Sequence, residues 1–401
     1  MKDLNLLVLC LDPGIGWDSK KGASVHLRSM ANAFSSLGAR RTILTSDGIA
    51  ADAGTDPVFE PMSDIAAVRE YFRAHRSRSG YEMRAVATNP LAMEHVRRLH
   101  ERRPFDAIYE RFSLWSDVGS RLAAELGVPL VLEVNAPLLW EQTTYRKLAF
   151  HDLVVAMERD TFQAADRVII VSKSLSEYVR SRGVSESRIL HLANIAERSQ
   201  FEGPPFQAPA PGAPFVVGFA GSLKPWHGLD PFLDVFARVH RRHPNAVLEI
   251  LGDGKGRSEL ESRVSRLGLN DAVRFLGHVP HEAVPARLHR WHLIAAPYPA
   301  IPSFYFSPLK IAEALAAGRP IIASDVGEIA EMTGDAAILV EADRSDAWEA
   351  ALAAPIERPE SLAPLARAAE EMTRGWSWRS HATRALEGLS ARPGREATVV
   401  G

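Results

Sequence analysis

The chain has 401 residues, more than one hydrophobic core usually supports, so its length predicts two domains. Apolar residues make up 46% of the sequence and charged residues 24%, and the net charge of −2 provides no overall field that would attract nucleic acid. The single cysteine, Cys10, excludes an internal disulfide framework and fits a reducing, cytoplasmic setting.

The first apolar run, Leu4–Leu11, is interpreted as a β-strand that buries Cys10. Lys2 precedes the run as it would in a signal peptide, but the run is short and no small-x-small cleavage site comes before the Asp-Pro-Gly turn. No stretch approaches the ~20 apolar residues that cross a membrane. We therefore expect a cytoplasmic protein without a transmembrane segment.

Short strands rich in Val, Ile and Leu then alternate with helical segments. The helix predicted after the first strand is Ala23–Leu37, and the strands predicted next are Thr42–Thr45, Ala107–Tyr109, Leu130–Val134 and Arg167–Val171. This alternation predicts a parallel sheet that is covered by helices on both faces.

Basic residues cluster at positions 73–78 and 97–103. Such runs are usually solvated helix faces, and contact with anionic lipid or with a phosphorylated molecule is the alternative. Peripheral membrane contact therefore stays open.

Residues 201–214, FEGPPFQAPAPGAP, are rich in Pro, Gly and Ala and are interpreted as an interdomain linker. A second series of strands and helices follows, with predicted elements at Phe215–Ala220, Pro231–Arg241, Val247–Leu251, Val273–Phe275, Leu293–Ala296, Ile321–Ala323 and a terminal helix Gly375–Leu389. The predicted organisation is a domain at 1–200, the linker at 201–214, a second domain at 215–374, and a helix and tail at 375–401. Two halves of similar construction indicate two Rossmann-like domains that face a central cleft.

Residues 304–324, FYFSPLKIAEALAAGRPIIAS, predict a loop, a helix and a buried strand. Ser307 is the expected N-cap and Pro308 the expected first helical residue. The free N–H groups of that first turn attract phosphate, and Glu313 further along could accept hydrogen bonds from hydroxyls. A nucleotide sugar carries both a phosphate and hydroxyls. Ordinary α/β proteins also contain such helices, so this segment alone does not identify the ligand.

No convincing Gly-x-Gly-x-x-Gly motif follows a strand. The turn at Gly14–Gly16 lacks the third glycine, and Gly252–Gly256 lacks the glycine that packs the next helix closely. A dinucleotide-dependent dehydrogenase is therefore disfavoured.

Four segments of the second half, GFAGSLKPWHGLD (218–230), LEILGDGKGR (248–257), VRFLGHVP (273–280) and 304–331, resemble glycosyltransferase family 4 in order and spacing. The first half resembles it more loosely, through KGASVH (21–26) and LEVNAP (132–137). The resemblance implies an α/β chain of the GT-B fold, with the donor on the C-terminal domain and the acceptor on the N-terminal one. It implies a retaining, metal-independent transfer from a nucleotide-diphosphate sugar, without a further cofactor, to a small-molecule, glycan or lipid-linked acceptor.

The family carries an Arg and a Lys on the first C-terminal loop, where they stabilise the diphosphate leaving group. This chain has Ser222 and His227 at the matching positions. Lys224, between them, is the cation that we expect to act in catalysis. His227 is expected either to donate a hydrogen bond or to act as a partly charged substitute.

Two glutamates of the family pattern match Tyr305 and Glu313. The resemblance implies that Glu313 binds the ribose hydroxyls, which suits a carboxylate. Contacts that the missing glutamate would make to the sugar are expected from the backbone of 304–307, from the Tyr305 hydroxyl, or from elsewhere. Phe306, Ser307 and Leu309 are further donor-binding candidates in this segment. Lys310 could meet a phosphate or could simply be solvated.

Glycines and loop backbone complete the implied donor site. Gly252 and Gly254 would let the backbone approach the ligand, although each could also be a plain turn residue. The family binds the nucleobase through main-chain atoms at the segment that ends at Val279.

The N-terminal domain supplies a second group of candidates. The resemblance implies that Gly22 lies where the loop after the first strand meets the diphosphate, and Gly22 is expected to open a second helix toward the cleft. Asn135 stands where many relatives carry a histidine near the donor sugar, and it is expected to hydrogen-bond but not to act as a base. His26 is more readily explained as a core histidine. Glu133 and Glu141 are the candidate nucleophiles, although a front-face reaction without a protein nucleophile is preferred.

Two rival functions remain. One is a GT-B epimerase that acts on a nucleotide sugar without an acceptor. The other is a nucleotide-sugar-binding protein without catalysis, for which Ser222 and Tyr305 are the strongest support.

Overall fold

The computed structural model describes residues 4–19, 21–54, 57–74, 77–301 and 304–389. Residues 1–3, part of the basic run at 73–78, and the tail from residue 390 onward lie outside the described residues. The chain divides into an N-terminal unit, Met1–Ala193 with Trp378–Gly401, and a C-terminal unit, Asn194–Ser377.

A sheet of seven strands forms the centre of the N-terminal unit, with the spatial order β3-β2-β1-β4-β5-β6-β7. Its strands are β1 (Asn5–Cys10), β2 (Arg40–Thr45), β3 (Gly48–Ala50), β4 (Ala107–Arg111), β5 (Leu130–Val134), β6 (Arg167–Ile170) and β7 (Ile189–His191). β1 buries Cys10, as predicted. The prediction of a parallel sheet is wrong at one edge, because β3 runs antiparallel to β2. The turn between the two strands is too short for the crossover that a parallel partner requires.

Helices cover this sheet: α1 (Gly22–Ser36), α2 (Ser63–Ala74), α3 (Arg78–Arg102), α4 (Val118–Leu126), α5 (Leu138–Tyr145), α6 (His151–Ala164) and α7 (Ser176–Arg180). The basic run at 97–103 lies at the end of α3. Two of its arginines are paired on the surface, because Arg97 binds Glu125 at 2.6 Å and Arg103 binds Asp52 at 2.7 Å. These pairs support the interpretation of that run as a solvated helix face.

The C-terminal unit has a fully parallel sheet of six strands in the order β10-β9-β8-β11-β12-β13. The strands are β8 (Phe215–Ala220), β9 (Ala246–Leu251), β10 (Val273–Gly277), β11 (Leu293–Ala296), β12 (Ile321–Ser324) and β13 (Ala337–Val340). The helices are α8 (Leu229–Arg242), α9 (Arg257–Arg266), α10 (Val284–Leu288), α11 (Leu309–Ala316), α12 (Ile329–Thr333), α13 (Ser345–Glu357) and α14 (Ala363–Thr373). All the strands predicted from the sequence are present in the two sheets, with small shifts at their ends.

The order of the C-terminal sheet determines where a ligand can bind. The chain builds β8, β9 and β10 in one direction and then returns to place β11 on the other side of β8. In open α/β sheets, ligands bind beyond the carboxyl ends of the strands at such a switch point. The loops after β8 and β11 therefore flank the favoured site of this unit.

The last helix, α15 (Trp378–Leu386), belongs to the N-terminal unit although it follows the whole C-terminal unit in sequence. It packs against α1, where the Trp378 ring meets His26 edge to face with 4.9 Å between ring centroids. His381 contributes a second contact, because its Nε2–H donates to the Ala193 carbonyl at 2.9 Å. Trp378 is therefore a packing residue.

Candidate functional site

Three loops at the carboxyl edge of the C-terminal sheet are bonded to one another through their backbones. The Leu223 N–H donates to the Asp253 carbonyl at 3.1 Å, and the Gly252 N–H donates to the Gly277 carbonyl at 2.8 Å. The segments 221–228, 252–254 and 277–279, which the sequence singled out separately, thus lie side by side. The half-buried Val279 packs against the apolar core below them.

Two glycines are needed for this contact between loops. Gly252 has a φ of +134°, and a Cβ placed there would lie 2.0 Å from the Gly221 carbonyl oxygen. A Cβ on Gly254 would lie 2.9 Å from the Leu223 carbonyl oxygen. Both glycines therefore permit loop packing, whatever they contribute to a ligand.

Gly228, which ends the first loop, provides a test of this packing. Its φ is +71°, and a Cβ would lie 1.6 Å from the Pro297 carbonyl oxygen, whereas Gly268 has a φ of +70° and open space around it. Gly268→Ala should cost about 1–2 kcal/mol of unfolding free energy from the left-handed backbone alone. We expect Gly228→Ala to cost at least twice as much in urea unfolding of the full chain. Equal losses for the two variants would contradict the close approach of the β8 and β11 loops.

Ser307 does not cap α11, so the predicted start of this helix is wrong in detail. α11 begins at Leu309, with Pro308 in extended conformation as the N-cap residue. The Ser307 hydroxyl instead accepts a hydrogen bond from the Asn194 N–H at 2.9 Å, and the Asn194 amide donates to the Ser307 carbonyl at 2.8 Å. The helix N-terminus still lies in the loop after β11, where the sequence placed it.

The loop after β8 holds the predicted cation and its neighbours. Lys224 is exposed, with its Nζ atom 4.7 Å from the centroid of the Trp226 ring. The His227 Nδ1–H donates to the Ser222 carbonyl at 2.5 Å. Burial lowers the pKa of His227 to about 3, and the nearby Lys310 amine adds to the effect. This environment favours the hydrogen-bonding alternative over a partly charged His227.

Glu313 lies on α11 with its carboxylate mostly buried. Its Oε1 atom is 2.9 Å from the Nε2 atom of His281, a residue that the sequence analysis missed. Tyr305 is buried against Phe306, with 4.5 Å between ring centroids. Lys310 is half-buried with its Nζ atom enclosed, so the alternative of a solvated lysine is wrong.

A buried cluster centred on Glu133 occupies the carboxyl end of β5 in the N-terminal unit. His26 and Tyr109 donate to its Oε2 atom, the histidine at 2.8 Å, while Arg111 and Asn135 donate to its Oε1 atom, the arginine at 2.7 Å. A carboxylate offers about four lone-pair positions. Each oxygen of Glu133 therefore accepts two hydrogen bonds, and the acceptor positions are filled by protein.

This cluster also fixes the charge of Glu133. Burial alone would raise the pKa of the carboxyl group, but the bonded His26 and the Arg111 guanidinium hold it well below its ordinary value. The sequence analysis missed Tyr109 and Arg111. A signal was present, because both lie on the same face of β4, and Arg111 is the register partner of Glu133 across β4 and β5.

The remaining candidates of the N-terminal unit lie on helices. Gly22 is the first residue of α1, which has no side-chain cap, and Glu141 lies half-buried in the first turn of α5. Within the described ranges, no helix combines the length and the apolar character that a membrane crossing needs. Among the same residues, no three His, Cys, Asp or Glu side chains are grouped so that they could hold a metal ion.

Both units match families of known proteins. Residues 214–358 match the family model described as glycosyl transferases group 1, and residues 21–194 match the glycosyl transferase 4-like domain. The chain is 25% identical over 387 residues to a glycogen synthase of Mycobacterium tuberculosis, a match that covers 90% of this chain and 89% of the relative. It is 29% identical over 322 residues to a D-inositol 3-phosphate glycosyltransferase of Rhodococcus erythropolis, which covers 72% and 68% of the two chains.

A solved structure shows the same fold. Sucrose-phosphate synthase from Thermosynechococcus elongatus superposes with a TM-score of 0.70 at 18% identity, and the match covers 96% of this chain and 97% of that one. The two family models together span most of the sequence and agree with the motifs at 218–230 and 304–331. The chain therefore belongs to the glycosyltransferases of family 4, which have the GT-B fold.

Proposed function

We propose that this glycosyltransferase moves a sugar from a nucleotide-diphosphate sugar to a hydroxyl or other nucleophilic group of its acceptor, with retention of anomeric configuration and without a metal ion. The observation that carries the proposal is the hydrogen bonding of the Glu133 carboxylate. A nucleophilic carboxylate needs a free oxygen lone pair, and both oxygens of Glu133 accept two hydrogen bonds. This arrangement supports a reaction in which Glu133 does not attack the sugar.

The proposed reaction takes place on one face of the donor sugar. The bond between the anomeric carbon and the diphosphate oxygen breaks, and its electron pair leaves with the diphosphate. The acceptor oxygen forms the new bond on the same face, and its proton passes to the departing phosphate oxygen. The protein then has to stabilise the growing negative charge, which preorganised donors and cations can do.

The C-terminal unit supplies the proposed donor site. Lys224 and the N-terminus of α11, at Leu309, bind the diphosphate, and Glu313 accepts hydrogen bonds from the ribose. Main-chain atoms of 277–279 meet the nucleobase. The position of these groups at the switch point of the sheet supports the assignment.

Other residues have supporting roles in the proposal. The backbone at Gly252 and Gly254 borders the donor, and Tyr305, Phe306 and Ser307 form the loop that leads into α11. His227 fixes the loop after β8 through Ser222. Gly22 and Asn135 of the N-terminal unit are the candidates that the family resemblance gives for the diphosphate and for the donor sugar, respectively.

The test is incubation of the protein with sugars activated by UDP, GDP or ADP. With a suitable acceptor, we expect proton NMR to show that the product has the donor's anomeric configuration. We expect the rate of transfer to be unchanged when EDTA is added. Without an acceptor, slow hydrolysis of the donor is expected. An inverted product contradicts retention, and loss of activity in EDTA that Mg²⁺ restores contradicts metal independence. Epimerised donor without transfer would indicate the epimerase, and binding without hydrolysis or transfer would indicate a binding protein.

A further inference from the structure

Lys310 has an environment that is unusual for a lysine. It is the second residue of α11, and none of the described residues forms a hydrogen bond with its buried Nζ atom. The Nζ atom lies 4.0 Å from the centroid of the Phe219 ring and 5.1 Å from that of Tyr298. The two rings hold the amine in place but provide no anion.

The amine lies beside the loop from which the family's phosphate-binding cation is missing. A Cβ on Gly221 would lie 2.9 Å from the Lys310 Nζ atom, so the amine occupies the space over that glycine. The next residue, Ser222, stands where the family pattern has an arginine. Lys310 thus brings a positive group from α11 to the position where the β8 loop has lost one.

The groups around the amine determine whether it carries a charge when no anion is bound. An unpaired ammonium is costly to bury, and burial lowers the pKa of Lys310 to about 7, while Glu313 opposes that shift. His227 is neutral at that pH, and Lys224 projects over the exposed Trp226. An anion that enters this site would favour the charged form of Lys310 and would receive the hydrogen bonds that the amine otherwise lacks.

We infer that Lys310 binds the donor diphosphate directly, so that a lysine on α11 substitutes for the arginine that relatives carry on the first C-terminal loop. The inference rests on the proposed function. It assigns stabilisation of the negative charge on the leaving diphosphate to two cations: Lys310 from the helix and Lys224 from the loop. It also accounts for the glycine at 221, because a side chain there would displace the amine.

Lys310→Met tests the inference, because methionine keeps an unbranched apolar chain between the two rings and removes the charge. Calorimetric titration would compare the tightest-binding of UDP, GDP and ADP with its own nucleoside. We expect the dissociation constant of the diphosphate to rise about 10- to 100-fold, while that of the nucleoside changes less than about twofold. The melting temperature of the free protein should stay the same or rise, because a buried amine without a partner is removed.

Lys255→Met is the matched control, since it removes the same charge from an exposed loop of the same unit. It should leave diphosphate binding within about twofold of wild type. A lower melting temperature of Lys310→Met, with equal weakening of nucleoside and diphosphate, would show a structural lysine and overturn the inference. Unchanged diphosphate binding in that variant would also overturn it.

A second variant keeps the test decisive if Lys310→Met does not fold. Lys310→Gln keeps a polar tip and should show the same selective loss of diphosphate affinity, and its failure to do so contradicts the inference. If the wild-type protein binds none of the three diphosphates, the proposed function itself fails. Failure of that function is thus distinguished from failure of the lysine assignment.

Discussion

Glu133→Ala should lower the unfolding free energy of the full chain by about 3–5 kcal/mol. The substitution leaves the buried Arg111 guanidinium without its carboxylate and removes the acceptor of His26, Tyr109 and Asn135 at the same time. Urea unfolding followed by circular dichroism measures the loss. Because the two units can unfold separately, the transition assigned to the N-terminal unit is the one to compare.

Glu125→Ala is the control for this loss. Glu125 also pairs with an arginine, Arg97, at 2.6 Å, but both side chains are well exposed to solvent. Exposed pairs contribute about 0–1 kcal/mol, so this variant should unfold close to wild type. Similar losses in the two variants would show that the buried cluster has no special role in stability.

Glu133→Gln separates structure from chemistry at the same position. Glutamine keeps a hydrogen-bonding group between Arg111 and His26, so we expect a folded protein with measurable turnover. Complete loss of turnover, together with a glycosylated residue trapped in the wild-type protein and detected by mass spectrometry, would contradict the front-face reaction. The stability and activity measurements therefore address different claims.

Glu313→Gln should raise the dissociation constant of the nucleoside diphosphate about 10- to 100-fold, because hydrogen bonds to a charged acceptor contribute about 1.5–3 kcal/mol. The His281 ring at 2.9 Å holds the Glu313 carboxylate in one orientation. This reduces the side-chain entropy that is lost when the ligand binds. Calorimetric titration of wild type and variant with the same nucleotide measures the effect.

The ligand itself provides the control for this assignment. A 2′,3′-dideoxy analogue lacks both ribose hydroxyls, so wild type and Glu313→Gln should bind it with the same affinity. Glu341→Gln changes an exposed glutamate that pairs with Arg344 in the same unit, and it should bind the ribonucleotide as wild type does. If Glu313→Gln weakened the dideoxy analogue as strongly as the ribonucleotide, the carboxylate would not be acting through the ribose.

The sequence predicted the C-terminal sheet well because its strands are buried on both faces. Phe215–Ala220 and Leu293–Ala296 are apolar runs bounded by turn residues, and both have the predicted bounds. The loops that follow such strands lie at one edge of a parallel sheet, so the donor-side loops could be placed from the sequence. The contacts made by the side chains within those loops could not be predicted from the sequence.

The errors come from contacts between residues that are distant in sequence. Ser307 has the local sequence of an N-cap, but Asn194 bonds its hydroxyl. Lys310 looks like an ordinary helix lysine until Phe219 and Tyr298 are known to enclose its amine. Local propensity describes what a residue can do alone, whereas Asn194 and Phe219, each more than eighty positions away from the residue it contacts, decide these two cases.

The position of α15 has a consequence for how the chain folds during its synthesis. The ribosome makes β1 to β7 first, but the helix that covers His26 of that unit comes after all of Asn194–Ser377. Until Trp378 emerges, the face of α1 that it covers is open to water or to chaperones. The C-terminal unit is continuous in sequence and can complete its own core earlier. The half of the protein that is translated first is therefore the half that is finished last.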